Sequence, residues 1–492
     1  MSKYDVIVIG GGFAGLTCAL ALAKEGREVC VLEKEPVAGG AFQSFTRKGQ
    51  RLETGFHFVG GVREGEVMWP IISYFGLETL PWQPLDEAPL EVNVRGRHFE
   101  LHRGYDAFVE SLAAEFPSER RALQQLADLI KELNQHIYET ILPGTEGKIS
   151  PLMAVSAKEY LEEHFADPLL RDVLCGQSIT TELGDKLPLY SFLQSLNTFV
   201  QGSYRLAGGG EALIQRLVDN LTAEGGELKN RCAVEQFCVG EDGRVRAVRC
   251  ADGVEYEADM FISTLHPALT VAAIPECTQV RKIYRKRLSN LANTTGMFTV
   301  QLVLKPGTVP YKKRNISIFN AVDLWHTPCG KDDKVQNMLI SYNVPAGEPH
   351  FADNIDLLTP MSWESVCEWA ESRVGRRPEE YRLFKQRKAE ECIALACKYL
   401  PELQGNIIDY WTSTPLTYRD YTGTQNGSAY GVRKLCDNLL GTVLSPATPF
   451  PNLFMAGQNM MLHGMMGTAM TSLRVCNAIC GKNLLNFPYL CN

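Results

Sequence analysis

A glycine-rich turn near the start of the chain most narrowly limits what this sequence can fold into. Residues 5–9 are apolar and mostly β-branched, which is typical of a buried parallel strand. Three glycines follow at positions 10–12, and an alanine- and leucine-rich helix is predicted over residues 16–24. A second apolar strand is predicted over residues 28–32, with Glu33 just after it. A strand, a turn, a helix and a second strand in this order form a βαβ unit.

The glycines of this turn have the GxGxxG spacing of a dinucleotide-binding loop. Gly10 permits the tight turn, Gly12 lets the backbone approach a pyrophosphate, and Gly15 lets the helix pack closely on the strand. The helix N-terminus offers free N–H groups and a partial positive charge to phosphates. Glu33 can accept hydrogen bonds from ribose hydroxyls. The alternative, a glycine-rich turn without a ligand, gives no reason for all these features to occur together.

Two further features favour FAD over NAD, which shares the fingerprint. A second glycine pair, Gly39 and Gly40, follows Glu33 closely. Such a pair recurs in flavoproteins of the glutathione-reductase type, where it continues the wrap around the pyrophosphate. The chain also closes on a predicted strand over residues 453–456, a loop rich in Gly and Met, and a helix. Flavin enzymes of this type commonly bring the chain end back to the flavin.

Strand–helix alternation breaks off after the first part of the chain and returns later. A long amphipathic helix is predicted over residues 118–141, and helical character continues over residues 158–174. This region therefore belongs to a different layer from the βαβ unit. Alternation returns with a helix over residues 211–224, followed by strands joined by hairpin turns. A further helix is predicted over residues 378–399. Strands are predicted over residues 233–239, 245–250, 260–263, 297–304 and 337–343.

These patterns predict an α/β protein of two domains, for which 492 residues are ample. One is a Rossmann-like FAD-binding domain of the glutathione-reductase type, and the other is an inserted α+β substrate-binding domain. The FAD-binding domain is discontinuous, over residues 1–70, 205–280 and 440–492. The substrate-binding domain is predicted over residues 71–204 and 281–439.

Composition and charge exclude several functional classes. The net charge of −8 and the pI of about 5.7 argue against nucleic acid as a partner. The fifteen cysteines include no CxxC pair and no cluster with zinc spacing, so we expect free thiols in a reducing compartment and no metal site. No secretory signal pattern and no membrane span are recognised. The cytoplasm is the expected location, with peripheral membrane association as an alternative.

Four blocks of the sequence resemble the carotenoid desaturase, carotenoid isomerase and retinol saturase branch of the FAD-dependent amine-oxidase-like enzymes. The blocks are residues 5–44, 53–60 (ETGFHFVG), 413–432 (STPLTYRDYTGTQNGSAYGV) and 452–469 (NLFMAGQNMMLHGMMGTA). The last two are most similar to the retinol saturase subgroup. The resemblance implies an FAD-dependent oxidoreductase that acts on carbon–carbon double bonds of a hydrophobic, polyene or isoprenoid-like substrate. Saturation, desaturation and isomerisation all remain open.

The resemblance also implies site residues. His57, in a glycine-flanked stretch expected near the flavin ring, is a candidate for proton transfer, with a packing role as the alternative. Backbone groups of Val234 are expected at the adenine. Residues 456–459 read Ala-Gly-Gln-Asn where many relatives carry an aspartate, so a neutral amide would replace that carboxylate. The residues expected to contact the cofactor are Gly10, Gly12, Phe13, Ala14, Gly15, Glu33, Lys34, Gly40, Ala41, His57, Val234, Gly457, Gln458, Met466 and Thr468.

Several regions leave two interpretations open. The methionines of residues 455–470 suit an apolar cavity for a long lipid, or ordinary core filling. Tyr418 and Tyr430 belong to a block that lines a substrate tunnel or forms a surface loop. The basic cluster of residues 281–287 fits anionic lipid headgroups or a solvated helix face.

Two other functions also stay open, an amine-oxidase-like enzyme for a smaller amine and a non-catalytic flavin-binding scaffold. No second nucleotide fingerprint is recognised in the sequence. NAD(P)H stays open as an external electron donor that approaches the same flavin.

Overall fold

Two seven-stranded sheets dominate the part of the chain that the computed structural model describes, residues 3–142, 149–346 and 349–485. The first sheet is built around Tyr4–Ile9, which pairs in parallel with Val29–Leu32 on one side and with Glu255–Ser263 on the other. Its β-branched residues are buried on both faces, as parallel strands require. In spatial order its strands are Glu227–Lys229, Val29–Leu32, Tyr4–Ile9, Glu255–Ser263, Val245–Cys250 and Val234–Val239, with Leu453–Met455 also paired to Glu255–Ser263.

The first helix, Phe13–Ala23, is buried along its whole length. It begins three residues earlier than the sequence predicts, because Gly12 is already the extended residue that precedes it. The C-terminal helix, Gly464–Cys480, packs beside it, and the helix Gly209–Ala223 contacts its other side. Apolar side chains of these helices and of the first sheet form one continuous core.

The strand Glu255–Ser263 is longer than predicted and joins two kinds of pairing. Its first half pairs antiparallel with Val245–Cys250, and that strand pairs antiparallel with Val234–Val239. Its second half pairs in parallel with Tyr4–Ile9 and with Leu453–Met455. The predicted hairpin turns are confirmed, and the strand near the chain end enters the same sheet as the glycine turn.

One face of the second sheet is apolar, and the other mixes apolar side chains with buried polar ones. Along Gly296–Leu304, Phe298 and Val300 point into a core that includes the helix Glu379–Tyr399. Thr299 and Gln301 point the other way and are nevertheless buried. In spatial order the strands are Ile407–Ser413, Gly296–Leu304, Asn354–Met361, Asn337–Tyr342, Asn315–Phe319, Leu90–Val94 and Arg97–Leu101.

The helical region in the middle of the chain is more broken than the sequence predicts. The expected long helix over residues 118–141 is the helix Arg120–Gln135 flanked by 3-10 turns at Pro117–Glu119 and Ile137–Ile141. The segment over residues 158–174 is two helices, Ala157–His164 and Pro168–Leu174. The Asp167 side chain caps the second helix, and Pro168 is its first residue. A proline at this position prevents the two helices from forming one continuous helix.

Smaller elements complete the fold. Ser44–Arg47 and Gln50–Glu53 form a hairpin directly after the second glycine pair. Val59–Gly60, Ser203–Leu206 and Trp82–Pro84 form a three-stranded sheet. The remaining α-helices are Trp69–Tyr74, Tyr105–Glu115, Leu189–Val200, Pro267–Ala273, Lys282–Ser289, Pro415–Thr422 and Leu439–Thr442.

The state of the cysteines and the character of the helices can be compared with what the sequence predicts. The fourteen cysteines of the described residues are all free, while Cys491 lies outside those residues. No helix in the described ranges combines the length and apolar character needed to cross a bilayer.

Candidate active site

The glycine turn has the tight geometry that its spacing predicts. Gly10 has a φ of +100°, which a glycine adopts without strain. A Cβ atom at Gly15 would lie 1.9 Å from the carbonyl oxygen of Gly10, so any side chain there would push the helix off the turn. Within the described residues, no side chain caps the N-terminus of the helix at Gly12. The first helical N–H groups are therefore free for an anion.

Glu33 lies against this turn, and its carboxylate is buried. Its Oε2 accepts the N–H of Gly11 at 2.6 Å, and its Oε1 accepts the N–H of Glu35 at 2.8 Å. Each carboxylate oxygen has a further lone pair that can accept a hydroxyl hydrogen. The residues at this turn therefore fit the pyrophosphate and ribose of a dinucleotide.

The second glycine pair lies directly beside the first. The N–H of Gly39 donates to the carbonyl of Gly11 at 2.9 Å, and a Cβ atom at Gly40 would lie 3.2 Å from Gly12. Ala41 follows, and its carbonyl would lie 2.9 Å from a Cβ atom at Gly55. The segment that carries His57 therefore runs along the second glycine pair.

Val234 lies close to Glu33, because a residue just before it in the chain hydrogen-bonds to Glu33. The N–H of Cys232 donates to the carbonyl of Glu33 at 2.8 Å, and Val234 begins its strand two residues later. Lys34, the residue after this acid, donates from Nζ to the carbonyl of Asp420 at 2.9 Å. That bond ties the glycine-turn region to the helix Pro415–Thr422.

The chain end returns to the glycine turn. Gly457 has a φ of +103°, and a Cβ atom there would lie 3.4 Å from the Cβ of Ala14. In the C-terminal helix, Ser472 donates both to the carbonyl of Ala14 at 3.2 Å and to that of Thr468 at 3.1 Å. Met466 is half-buried and packs against the core of the first sheet.

Asn459, the amide at the position where many relatives carry an aspartate, forms hydrogen bonds to other residues of the protein. The side-chain oxygen of Asn459 accepts the N–H of Val432 at 3.1 Å. The ammonium group of Lys434 donates to the backbone carbonyl of Asn459 at 2.6 Å and to that of Thr442 at 2.9 Å. Burial lowers the pKa of Lys434 to about 7. Gln458, the residue before Asn459, is half-buried.

His57 is paired with a buried carboxylate that the sequence does not reveal. Its Nδ1 lies 3.1 Å from Oδ2 of Asp356, and Asn343 donates to the same oxygen at 3.0 Å. The Nε2 atom of His57 is buried and has no hydrogen-bond partner among the described residues. A histidine oriented on one nitrogen and free on the other can hold or move a proton at Nε2.

Other buried polar groups surround this pair. Gln301 lies opposite Asp356 in the sheet register, and its Oε1 has no partner in the described chain. Glu53 accepts the N–H of Gly210 at 3.0 Å and the hydroxyl of Ser44 at 2.9 Å. Burial raises the pKa of Glu53. Unsatisfied buried polar atoms in one place indicate bound water or a ligand.

His463 is a second histidine near the chain end. Its Nε2 donates to the carbonyl of Thr180 at 2.8 Å, and its ring lies 4.5 Å from that of Tyr430. Burial lowers the pKa of His463 to about 4, so the ring is neutral at physiological pH. The methionines around it, Met460, Met461, Met465 and Met470, are buried in the core, which supports the core-filling interpretation.

A cavity of about 820 Å³ opens beside the second glycine pair. Gly40 and Thr54 border it on one side, and Thr417 and Tyr418 border it on the other. The second sheet closes it along its edge strand, Ile407–Ser413. The lining formed by the described residues contains no carboxylate and four cationic side chains, which are Arg47, Arg377, Arg382 and Lys385.

Comparison with known proteins identifies the family. The family described as flavin containing amine oxidoreductase matches residues 13–286, which is more than half of the chain. The chain belongs to this family. It is therefore a flavin-dependent oxidoreductase, and the dinucleotide crevice at Gly10–Gly15 is where the fingerprint predicts the cofactor.

Relatives extend the similarity beyond the family match. All-trans-retinol 13,14-reductase of Rattus norvegicus is 25% identical over 98% of this flavoenzyme and 86% of the relative. Chloroplastic prolycopene isomerase 1 of an Oncidium hybrid cultivar is 25% identical over 89% of this chain and 77% of its own. The resemblance to the retinol saturase and carotenoid isomerase branch is thereby confirmed.

A solved structure confirms the predicted fold class. A putrescine oxidase variant superposes with a TM-score of 0.65 at 17% identity, covering 97% of this chain and 99% of its own. At this identity the likeness concerns the fold alone.

Sequence reasoning missed three groups of this flavoenzyme's candidate site. Asp356 and Gln301 lie within strands whose residues look apolar or neutral in sequence, and only strand pairing brings them opposite each other. Lys385 lies on the helix Glu379–Tyr399, where it resembles any surface lysine. Glu53 had a usable signal, since it opens the block that the resemblance singles out.

Proposed function

We propose that this flavoenzyme uses FAD to act on a carbon–carbon double bond of a hydrophobic polyene, with saturation favoured. The observation that carries the proposal is similarity along 98% of the chain to a retinol 13,14-reductase, which spans both large sheets. The second group of relatives, prolycopene isomerases, is named for a carotenoid. Both names refer to conjugated carbon chains without an amine.

Bound FAD would supply two-electron chemistry to the substrate. The protein's part begins with binding. The free N–H groups at the first helix would hold the pyrophosphate, and Glu33 would accept hydrogen bonds from the ribose. No side chain in the described part of the chain caps the start of the C-terminal helix at His463, so its positive end is available to stabilise negative charge on the cofactor.

We assign proton transfer to His57. Asp356 accepts from Nδ1 and so orients the ring, which leaves the buried Nε2 without a hydrogen-bond partner among the described residues. Asn343 holds the carboxylate in turn. Saturation of a double bond adds one hydride and one proton to its two carbons. The hydride equivalent would come from reduced FAD, and a protonated Nε2 would deliver the proton.

The charge of the cavity argues against the amine alternative. Arg47, Arg377, Arg382 and Lys385 line it, and no acid compensates them within the described lining. Arg377 and Arg382 pair with acids outside the lining. A protonated amine would therefore enter against the uncompensated charges of Arg47 and Lys385, which costs free energy at short range. A neutral or anionic polyene meets no such penalty.

The decisive experiment separates reductase, isomerase and scaffold. The purified protein is loaded with FAD, reduced with dithionite under anaerobic conditions, and mixed with all-trans-retinol or prolycopene. Reduction of the substrate adds two mass units and reoxidises the flavin, whereas isomerisation changes retention time without a mass change. A flavin that neither substrate reoxidises or uses would refute the proposal. Repeating the reaction with NADPH or NADH in place of dithionite tests the external donor.

We also propose a peripheral membrane contact, at a surface around the helix Lys282–Ser289. Ile283 is 71% exposed and Leu440 is 91% exposed, and Arg287 donates to the carbonyl of Leu440 at 2.8 Å. Lys282 and Lys286 flank these apolar side chains. Cations around exposed apolar residues suit an anionic lipid surface. Arg285 is not part of this surface, because its guanidinium donates to three backbone carbonyls inside the protein.

A further inference from the structure

The four cations of the cavity differ in how they are neutralised. Arg377 forms an ion pair with Asp420, and Arg382 forms one with Glu379. Arg47 and Lys385 have no carboxylate within ion-pair distance in the described parts of the chain. The cavity therefore keeps an excess of positive charge after its internal ion pairs are counted.

Lys385 is the most unusual of these groups. Its Nζ donates to the backbone carbonyl of Thr412 at 2.8 Å, which uses one of three N–H donors. Burial, together with the smaller effect of the positive charge of Arg377, lowers the pKa of Lys385 to about 8. A largely buried ammonium without a counter-ion is costly, and an anionic ligand would remove that cost.

Aromatic side chains form one part of the remaining wall, and hydroxyl and amide side chains form much of the rest. Stacked or edge-on rings suit a flat, conjugated or apolar body. The volume of about 820 Å³ lies within the range of cavities that bind small organic ligands. The aromatic side chains of the lining are Phe45, Tyr381, Tyr410, Trp411, Tyr418 and Tyr421.

We propose that this cavity binds an amphipathic anion, whose carboxylate or phosphate pairs with Lys385 while its flat body lies along the aromatic part of the wall. Gly40 and Thr54 border the cavity, so the far end of the ligand reaches the dinucleotide crevice. The role of the ligand as substrate or electron donor rests on the proposed function, whereas the anion site itself does not. The anion is the terminal carboxylate of an oxidised polyene substrate or a phosphate of a nicotinamide dinucleotide donor.

The test uses the FAD-loaded protein and a matched ligand pair. All-trans-retinoate and all-trans-retinol share one polyene and differ in the head group, and NADPH supplies the phosphate. Binding is followed by the change in flavin absorbance and by isothermal titration calorimetry. Lys385→Met removes the cation, Lys385→Arg keeps it, and Lys398→Met removes an exposed lysine from the same helix.

We expect at least one anionic ligand to bind more tightly than retinol. Lys385→Met should weaken that ligand about 10- to 100-fold, the usual effect of losing a charged hydrogen bond, and should leave retinol unchanged. Lys385→Arg should restore most of the binding, and Lys398→Met should have no effect. Anion affinity in the wild type should fall as the pH rises through about 8, because the free ammonium loses its proton there.

Three results would overturn the inference. One is equal affinity for retinoate, retinol and NADPH, and another is equal behaviour of Lys385→Met and Lys398→Met. The third is loss of bound FAD from Lys385→Met, which would assign the cation to the cofactor itself. Dithionite-driven turnover of retinol is scored separately. If that turnover is absent while the charge-dependent binding is present, the proposed function fails and the anion site stands.

Discussion

The Nδ1 atom of His57 lies 3.1 Å from the Oδ2 atom of Asp356, although the two residues are 299 positions apart in the chain. The first follows the second glycine pair, and the second lies in a central strand of the other sheet. Their hydrogen bond therefore joins the segment after the second glycine pair to the second sheet.

This pairing predicts different effects for two substitutions. His57→Gln should reduce flavin-dependent turnover about 100-fold or more, because a general acid commonly contributes this much. Asp356→Asn should reduce it less, because the ring loses its carboxylate partner but keeps both of its nitrogens. Both variants should retain bound FAD. Asp332→Asn, which alters a carboxylate that is 91% exposed, is the control. Unchanged rates in both variants would remove His57 from the chemistry.

Gly15 is expected to tolerate no side chain. Gly15→Ala places a methyl group 1.9 Å from the Gly10 carbonyl, which must displace the helix from the glycine turn. We expect loss of FAD retention and destabilisation by several kcal/mol, measured by flavin absorbance and urea unfolding. Gly184→Ala is the matched control, because a Cβ atom there meets nothing within 4 Å. A Gly15→Ala protein that retains FAD and unfolds at the same urea concentration as wild type would show that this glycine is not needed for the dinucleotide crevice.

Glu33 should set the affinity for the cofactor rather than the rate. Glu33→Gln keeps one acceptor oxygen but loses the charge, so FAD should bind about 10- to 100-fold more weakly. Reconstitution of the flavin-free protein with increasing FAD measures this directly. Glu35→Gln, which removes a surface partner of Lys34, should leave the affinity unchanged. Equal affinities would show that Glu33 does not contact the ribose.

Lys434 predicts how stability depends on pH. Burial lowers its pKa to about 7 from the ordinary value of 10.5, so between these pH values the unfolded chain holds a proton that the folded protein lacks. This lysine therefore makes the free energy of unfolding rise with pH across that window, by at most about 1.4 kcal/mol per pH unit. Below pH 7 both states are protonated and the full cost applies.

Urea unfolding at pH 7 and pH 9.5 tests this for Lys434→Met. The variant should lose the pH-dependent rise relative to wild type, whatever its stability at a single pH. Lys398→Met, in which an exposed lysine is removed, should keep the rise. Parallel pH slopes for wild type and Lys434→Met would contradict a lowered pKa.

The proposed membrane surface has its own test. Ile283→Ser combined with Leu440→Ser should reduce pelleting with vesicles that contain phosphatidylserine and should leave turnover of a detergent-solubilised substrate unchanged. Leu383→Ser, which alters an apolar residue that is exposed on another helix, serves as the control. Pelleting that depends neither on anionic lipid nor on these side chains would remove the membrane contact.

Local features allowed the first part of the site to be predicted. Gly10, Gly12 and Gly15 act through backbone conformation and close approach, and both depend on residues within one turn of chain. The strand before them and the helix after them follow from hydrophobic pattern alone. The domain boundaries and the roles of the cofactor-contact residues stay predictions, as do the assignments for Met466 and Thr468.

Helix ends were harder to predict than helix positions. The pattern over residues 118–141 is continuous in apolar spacing, yet the helix stops at Gln135 and resumes as a 3-10 turn. Hydrophobic spacing reports which face is buried, and it says little about where tertiary contacts end a helix.

The sequence by itself determined that this protein makes a dinucleotide crevice from a βαβ unit, because glycine spacing and a following acid act over a few residues. Only the tertiary structure decided that His57 meets Asp356 and that Lys434 hydrogen-bonds to the carbonyl of Asn459. It also decided that Lys385 faces a cavity whose described lining has no carboxylate. Those relationships depend on the pairing of distant strands and on which side chains burial leaves without a partner. Both are properties of the assembled fold, and no local stretch of chain encodes them alone.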